Sequence, residues 1–157
     1  MQLLLFRIAD QRYALDIKQV AEIAPLTRLS HLPQAPDYIA GVMNYRGEPV
    51  PVVDICHLAT GSTCAKRMST RTVLVNYPLT DGDIRVLGLL AEGATEILQR
   101  ERDQFSDPGV VQPNAPYLGD VLNEAGEMIQ LVDVDALLND EVRAIIFTDR
   151  ADVSGAS

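Results

Sequence analysis

The sequence predicts an all-β fold arranged as a pair of similar small barrels, with a few short helices and a C-terminal helix. Three observations carry that prediction. A 21-residue stretch occurs twice, most apolar runs are short and bounded by turn residues, and few stretches hold helical spacing. Tyr38 to Leu58 (YIAGVMNYRGEPVPVVDICHL) realigns without a gap on Tyr117 to Leu137, 79 residues on. Eight positions are identical: Tyr38/Tyr117, Val42/Val121, Asn44/Asn123, Gly47/Gly126, Glu48/Glu127, Val53/Val132, Asp54/Asp133 and Leu58/Leu137. Upstream, Ala21-Glu22-Ile23 is echoed by Thr95-Glu96-Ile97 at a shifted spacing. Two copies are too few for a solenoid and point instead to two β-rich halves packed together. The division expected is one domain over 1–150, with pseudo-repeats of about 1–65 and 66–150, and a flexible tail over 151–157.

Each element follows from local chemistry. Gln2 to Ile8 is a short apolar run closed by Ala9-Asp-Gln-Arg12, hence a buried strand and a turn, and Tyr13-Ala-Leu15 resumes as strand. Asp16 caps a helical turn reaching Val20, and Ala21 to Ala24 stops at Pro25. Pro33 and Pro36 bracket a connection that no helix crosses. Gly41 to Tyr45 and the run containing Val50, Val52 and Val53 are the strands of a hairpin. Gly47 supplies the positive φ at its tip, and Asp54 caps a short helix beginning at Ile55. Thr60 to Arg67 is the expected flexible boundary between the halves. Thr72 to Tyr77 and Ile84 to Leu90 form another hairpin about Asp81-Gly82, while Gly93 to Leu98 fits a strand or a helix start. Asp107-Pro-Gly and Pro113 to Pro116 mark a second long connection, and Val142, Ile145 and Ile146 space a terminal helix over Glu141 to Thr148.

Composition excludes several classes. A net charge of −9 and a pI near 4.5 lack the basic face of a nucleic-acid binder, and no apolar run reaches the roughly 20 residues of a membrane helix. The N-terminus has no basic region or small-residue cleavage site, so Cys56 and Cys64 are read as reduced thiols in a cytosolic protein. Cys56 and His57 are adjacent and point apart, a poor nucleophile–base pair, and His31 has no companions at metal-ligand spacing. Single glycines in turns cradle no phosphate, and Asp133 with Asp135 reads as a cap beside an exposed position. No catalytic, cofactor or metal residue is therefore named. Arg46 stands apart, because the second copy has Ala125 in its place. Two readings of it stay open. One is a solvated turn Arg or a Glu48 partner contributing about 0–1 kcal/mol; the other is a recognition residue with a planar, multi-donor head.

A series of motifs then resembles the CheW family of coupling proteins in bacterial chemosensory arrays, over about Leu4 to Leu138. They are Phe6 to Ile8; Tyr13-Ala-Leu-Asp-Ile17 with Val20-Ala-Glu-Ile23; Leu32 to Gly41; Asn44-Tyr-Arg-Gly47 followed by Pro51-Val-Val-Asp54; Val86 to Leu90; and Tyr117 with Leu131-Val-Asp133. The resemblance implies two interlocked five-stranded SH3-like β-barrels around a shared hydrophobic core, and no catalysis. It implies an adaptor, cytoplasmic and held at the inner membrane through receptor arrays. Its partners would be the cytoplasmic tip of a methyl-accepting chemoreceptor and the regulatory domain of a CheA-type histidine kinase, with self-association in the array and no nucleic acid or direct membrane insertion. Val20, Glu22, Asn44, Arg46 and Gly47 fall on its coupling positions, with Val20 and a groove between the halves receiving an apolar helix.

The chain departs from the family at Tyr45 (usually Leu), at Pro49 inside the returning strand, at Ala91-Glu92 (commonly Val-Asp) and at Gly93-Ala94. Pro49 demotes its part of the strand to an edge or bulge. These departures point to an alternative pathway, such as surface sensing or second-messenger control, rather than flagellar steering. The rival readings are an adaptor that binds receptor but not kinase, and a small-ligand-binding β-barrel.

Overall fold

The computed structural model describes residues 1–110 and 112–147. The described residues form nine strands: β1 (Gln2–Ile8), β2 (Gln11–Asp16), β3 (Val20–Pro25), β4 (Ile39–Tyr45), β5 (Glu48–Asp54), β6 (Arg71–Pro78), β7 (Ile84–Gln99), β8 (Leu118–Glu124) and β9 (Glu127–Val132). Helix α1 spans Ile55–Thr60 and α2 spans Asp140–Ile146. Short 3₁₀ turns occupy Ile17–Gln19, Arg102–Gln104 and Val134–Ala136.

Pairing sorts the strands into two five-stranded barrels that share β7. One has the order β4-β5-β7-β6-β3, using Ile84 to Ala91 of β7. The other has the order β8-β9-β2-β1-β7, using Glu92 to Gln99. The two orders match strand for strand. In each, a hairpin pairs in parallel with a further strand (Val52 with Gly88, Leu131 with Ala14), which is followed by two antiparallel partners. The repeats in sequence are therefore exchanged in space: β1 and β2 of the first copy join β8 and β9 of the second, while β3 joins β6. Repeat and barrel are different divisions of this chain. Gly93 to Leu98, open between strand and helix in sequence, continues β7 as its second half, with Gly93 at φ +65° beside the irregularity opposite Leu5 and Arg7.

The pattern of burial explains why β1 has no polar alternation. Leu3 and Leu5 fill one barrel with Ala14, Leu122 and Ile129, while Leu4, Phe6 and Ile8 face the shared core between barrels. The other barrel is filled by Met43, Val50, Val52 and Leu74, and Val73, Val75 and Tyr77 on the opposite face of β6 join the shared core. Strands buried on both sides read as continuous apolar runs.

The caps expected from sequence are in place. Asp16 accepts from the Lys18 N–H, Asp54 from His57, and Asp133 from Asp135. Helix α2 starts on Asn139, whose Oδ1 accepts from Val142 N at 2.8 Å. Its Arg143 donates to the Tyr77 hydroxyl at 3.2 Å, and Phe147 stacks on the Tyr77 ring at 5.5 Å. The tail over 151–157 lies outside the described residues.

Two expectations are corrected. Cys56 and Cys64 are not free thiols: a disulfide joins them. The stretch Thr60 to Arg67 is accordingly tethered rather than a loose boundary. Both Asp54 carboxylate oxygens accept the Cys64 N–H, at 3.2 and 3.0 Å, and the Thr70 hydroxyl donates to the Ala65 carbonyl. The sequence read the cysteines by compartment; a helix start and a loop eight residues on bring their Cα atoms to 5.1 Å.

Candidate functional site: a charged hairpin tip beside an apolar groove

The β4–β5 hairpin turns through Arg46 and Gly47 at φ +52° and +83°, with Tyr45 opposite Glu48. Two central residues at positive φ match the right-handed twist of paired strands, and Gly47 takes such a conformation without cost. The side chain of Asn44 completes the turn, its Oδ1 accepting the Gly47 N–H at 2.9 Å. Asn44 and Gly47 thus build the geometry that aims Arg46.

Glu22, on β3, meets that tip. Since β4 and β3 are the outermost strands of their barrel, the Arg46–Glu22 ion pair spans its seam, with Arg46 Nη2 at 3.7 Å from Glu22 Oε2. Arg46 therefore pairs with Glu22 rather than with Glu48. Farther down, Ser30 closes the seam by exchanging two 2.8 Å hydrogen bonds with Val42. Tyr45 adds a third member: the Arg46 guanidinium lies 5.1 Å from its ring centroid. The Tyr45 phenol is held above its ordinary pKa, first by its hydrogen bond to Glu22 and then by burial, against the lowering effect of Arg46. The Arg46 side chain is still 76% exposed, so this is a presented cation rather than a buried one.

Val20 is placed differently. It opens β3 opposite Val75, is half-buried against the shared core, and is separated from Glu22 by an irregularity in the β3–β6 register. Sequence reasoning missed Tyr45 as a site residue, although its position next to Arg46 was the available signal.

Beside the tip runs an open groove of about 700 Å³. Pro49 and Pro51 of β5, Ile84 and Val86 of β7, and Ile145 and Phe147 at the C-terminal end form its apolar walls, with Arg46 and Glu48 on the rim. Pro49 is accommodated because β5 pairs with β7 only from Val52 onward, so the missing N–H costs no ladder bond on that side. This groove lies between one barrel and α2; Val20 does not line it, and it is not the groove between halves expected from sequence.

Fold and site together define a double-barrel module with a charged hairpin tip next to an apolar channel. Residues 2–142 match the family model for the CheW-like domain. The chain is 32% identical over 144 residues to the chemotaxis protein CheW of Rhizobium meliloti, covering 90% of each chain. It is 26% identical to that of Klebsiella aerogenes, covering 92% of this chain and 86% of the relative. The crystal structure of the scaffolding protein TtCheW from Thermoanaerobacter tengcongensis superposes with a TM-score of 0.78 at 22% identity, over 90% of this chain and 89% of that one. The chain belongs to the CheW-like domain family.

Among the described residues no helix is long and apolar enough to cross a membrane.

Proposed function

We propose that this protein is a non-catalytic cytoplasmic adaptor that couples the cytoplasmic tip of a methyl-accepting chemoreceptor to the regulatory domain of a histidine kinase, and is held at the membrane through the receptor. The observation that carries the reading is the Glu22–Arg46 pair across the barrel seam, in a CheW-like domain whose relatives are named for chemotaxis. The pair leaves most of the guanidinium in solvent with its fork available for a partner's carboxylate or carbonyl. The adjoining groove gives an amphipathic helix of a partner an apolar floor, with Arg46 and Glu48 on the rim to set its register. Asn44 and Gly47 act through the turn they form, and Val20 through the packing of β3.

The test is capture from native cytosol and membranes with wild type beside Arg46→Glu, a substitution that places a second carboxylate against Glu22. A receptor and a histidine kinase are expected with wild type and should fade with the variant. Equal recovery of both would remove Arg46 from the contact. Recovery of neither with wild type would leave the family membership without this function.

A further inference from the structure

The disulfide occupies a particular place in the topology. Cys56 lies in the first turn of α1 and Cys64 in the following loop, and both are buried in the core shared by the two barrels. Their sulfur atoms face β7 where it changes barrels: Cys56 Sγ is 3.3 Å from Glu92 Oε2, and Cys64 Sγ is 3.4 Å from the Leu90 carbonyl oxygen. Ala91 between them is the last β7 residue paired with β6, and Glu92 the first paired with β1. The loop that carries Cys64 is otherwise exposed at Gly61, Ser62, Thr63, Lys66 and Arg67, so a local opening of a few residues brings the bond to solvent.

Both oxidation states are provided for. A disulfide has no proton to donate, yet each sulfur sits within hydrogen-bond reach of an acceptor oxygen that a thiol S–H would use. With the bond broken, the tether to Cys56 is gone and the loop keeps its hydrogen bonds: Cys64 N–H to Asp54, Ser62 with Thr60, Gly61 N–H to His57, the Thr70 contacts and Arg71 to the Met68 carbonyl, with the exposed Arg67–Glu92 pair at 3.8 Å.

We propose that Cys56–Cys64 is a redox-sensitive clamp on the inter-barrel crossing of β7, closed as a disulfide and released as two thiols. Closure is the exchange of both thiols with a low-molecular-weight disulfide. One S–S bond forms in the protein and one breaks in the reagent, which leaves as two thiols carrying both protons and both electrons. The clamp holds residues 61–70 over the crossing; release frees that segment and leaves the barrels folded.

Hydrogen exchange on the whole protein tests this, comparing the form oxidised by a small disulfide with the form reduced by a phosphine. Amides in 61–70 should exchange on the order of 10-fold faster after reduction, while those of β4, β5 and β6 keep their rates. Re-oxidation should release two reagent thiols per chain and restore protection. The double variant Cys56→Ser, Cys64→Ser, which can form neither the clamp nor a mixed disulfide, should behave as the reduced form under both conditions. Equal protection in 61–70 in both states would make the bond an inert staple. Loss of protection throughout the barrels on reduction would make it an obligatory structural bond rather than a switch. Because Asp54, Cys56 and Cys64 offer ligand atoms within 4.8 Å of one another, the reduced protein is also titrated with Co²⁺. A thiolate charge-transfer band at stoichiometric metal would replace the clamp by a metal site.

Discussion

The two hairpin tips stand among equivalent acids, Glu48 with Glu22 across the seam and Glu127 with Glu96, and meet them with different cations. Arg46 pairs with Glu22 in the first, Arg12 with both Glu96 and Glu127 in the second. Registering Leu131 with Ala14 as Val52 registers with Gly88 makes Val86 the counterpart of Arg12, Pro49 that of Met128 and Pro51 that of Gln130. In the second barrel Arg12 reaches Glu127 at 3.1 Å and Glu96 at 3.3 Å, and its side chain is only 19% exposed. In the first barrel Val86 supplies no cation, and Glu22 is met instead by Arg46 from the turn itself, 76% exposed. One tip holds its cation half-buried among the strands and has Ala125 at the turn; the other presents its cation to solvent. The channel beside each tip follows: about 190 Å³ and lined by Asp10, Arg12 and Glu127 in the second barrel, about 700 Å³ with walls of Ile84, Val86, Pro49 and Pro51 in the first. Between the two tips the cation has moved from a strand position, Arg12 against Val86, to a turn position, Arg46 against Ala125.

The sharpest way to break the comparison is at the seam that both barrels close with a serine, Ser30 on Val42 and Ser106 on Val121. Gly41 precedes one bridge at φ +148°, and a Cβ there would lie 2.5 Å from the Ser30 carbonyl oxygen; its counterpart is Asp120. Gly41→Ala should cost about 3 kcal/mol or more in urea denaturation, with Asp120→Ala within about 0.5 kcal/mol of wild type. Arg46→Glu comes next. It should weaken partner binding by at least about 2 kcal/mol while the melting transition stays close to that of wild type, and a lost transition would put Arg46 in the fold rather than in the contact. Arg12→Ala should show the reverse, about 1–2 kcal/mol of stability lost as two carboxylates face each other, with binding unchanged.

The smallest effect is on acid stability. Arg100 donates to both carboxylate oxygens of Glu124 and holds its pKa below the ordinary value, so the pair stabilises the fold above the unfolded pKa of a glutamate. That contribution is lost as pH falls through the depressed folded value. Glu124→Gln should therefore be slightly less stable than wild type at neutral pH, and the difference should vanish on acidification.

Much of the local structure was legible because local chemistry sets it. Asp16, Asp54 and Asp133 announce their turns by capping, and the Gly47/Gly126 pair announces two equivalent hairpins. What no local signal carries is which barrel a strand joins. β3 and the second half of β7 are short amphipathic segments whose partners, Val75 and Leu5 among others, lie tens of residues away. The Arg46–Glu22 pair was hidden for the same reason, since the acid that the turn itself offers is Glu48 and Glu22 comes from a distant strand. The disulfide was missed by arguing from compartment instead of from the helix-and-loop geometry that brings Cys56 to Cys64. The family resemblance implies a coupling role for both Glu22 and Arg46; the topology accounts for why they touch.

The most direct test of the presented cation is calorimetric titration of a receptor-tip fragment and of a kinase regulatory domain into wild type, Arg46→Ala and Arg12→Ala. Arg46→Ala should weaken at least one of the two contacts about 30-fold, the equivalent of about 2 kcal/mol, while Arg12→Ala leaves both affinities within error. Affinities unchanged by Arg46→Ala, or lost equally with Arg12→Ala, would contradict the assignment of the first barrel's tip as the docking face.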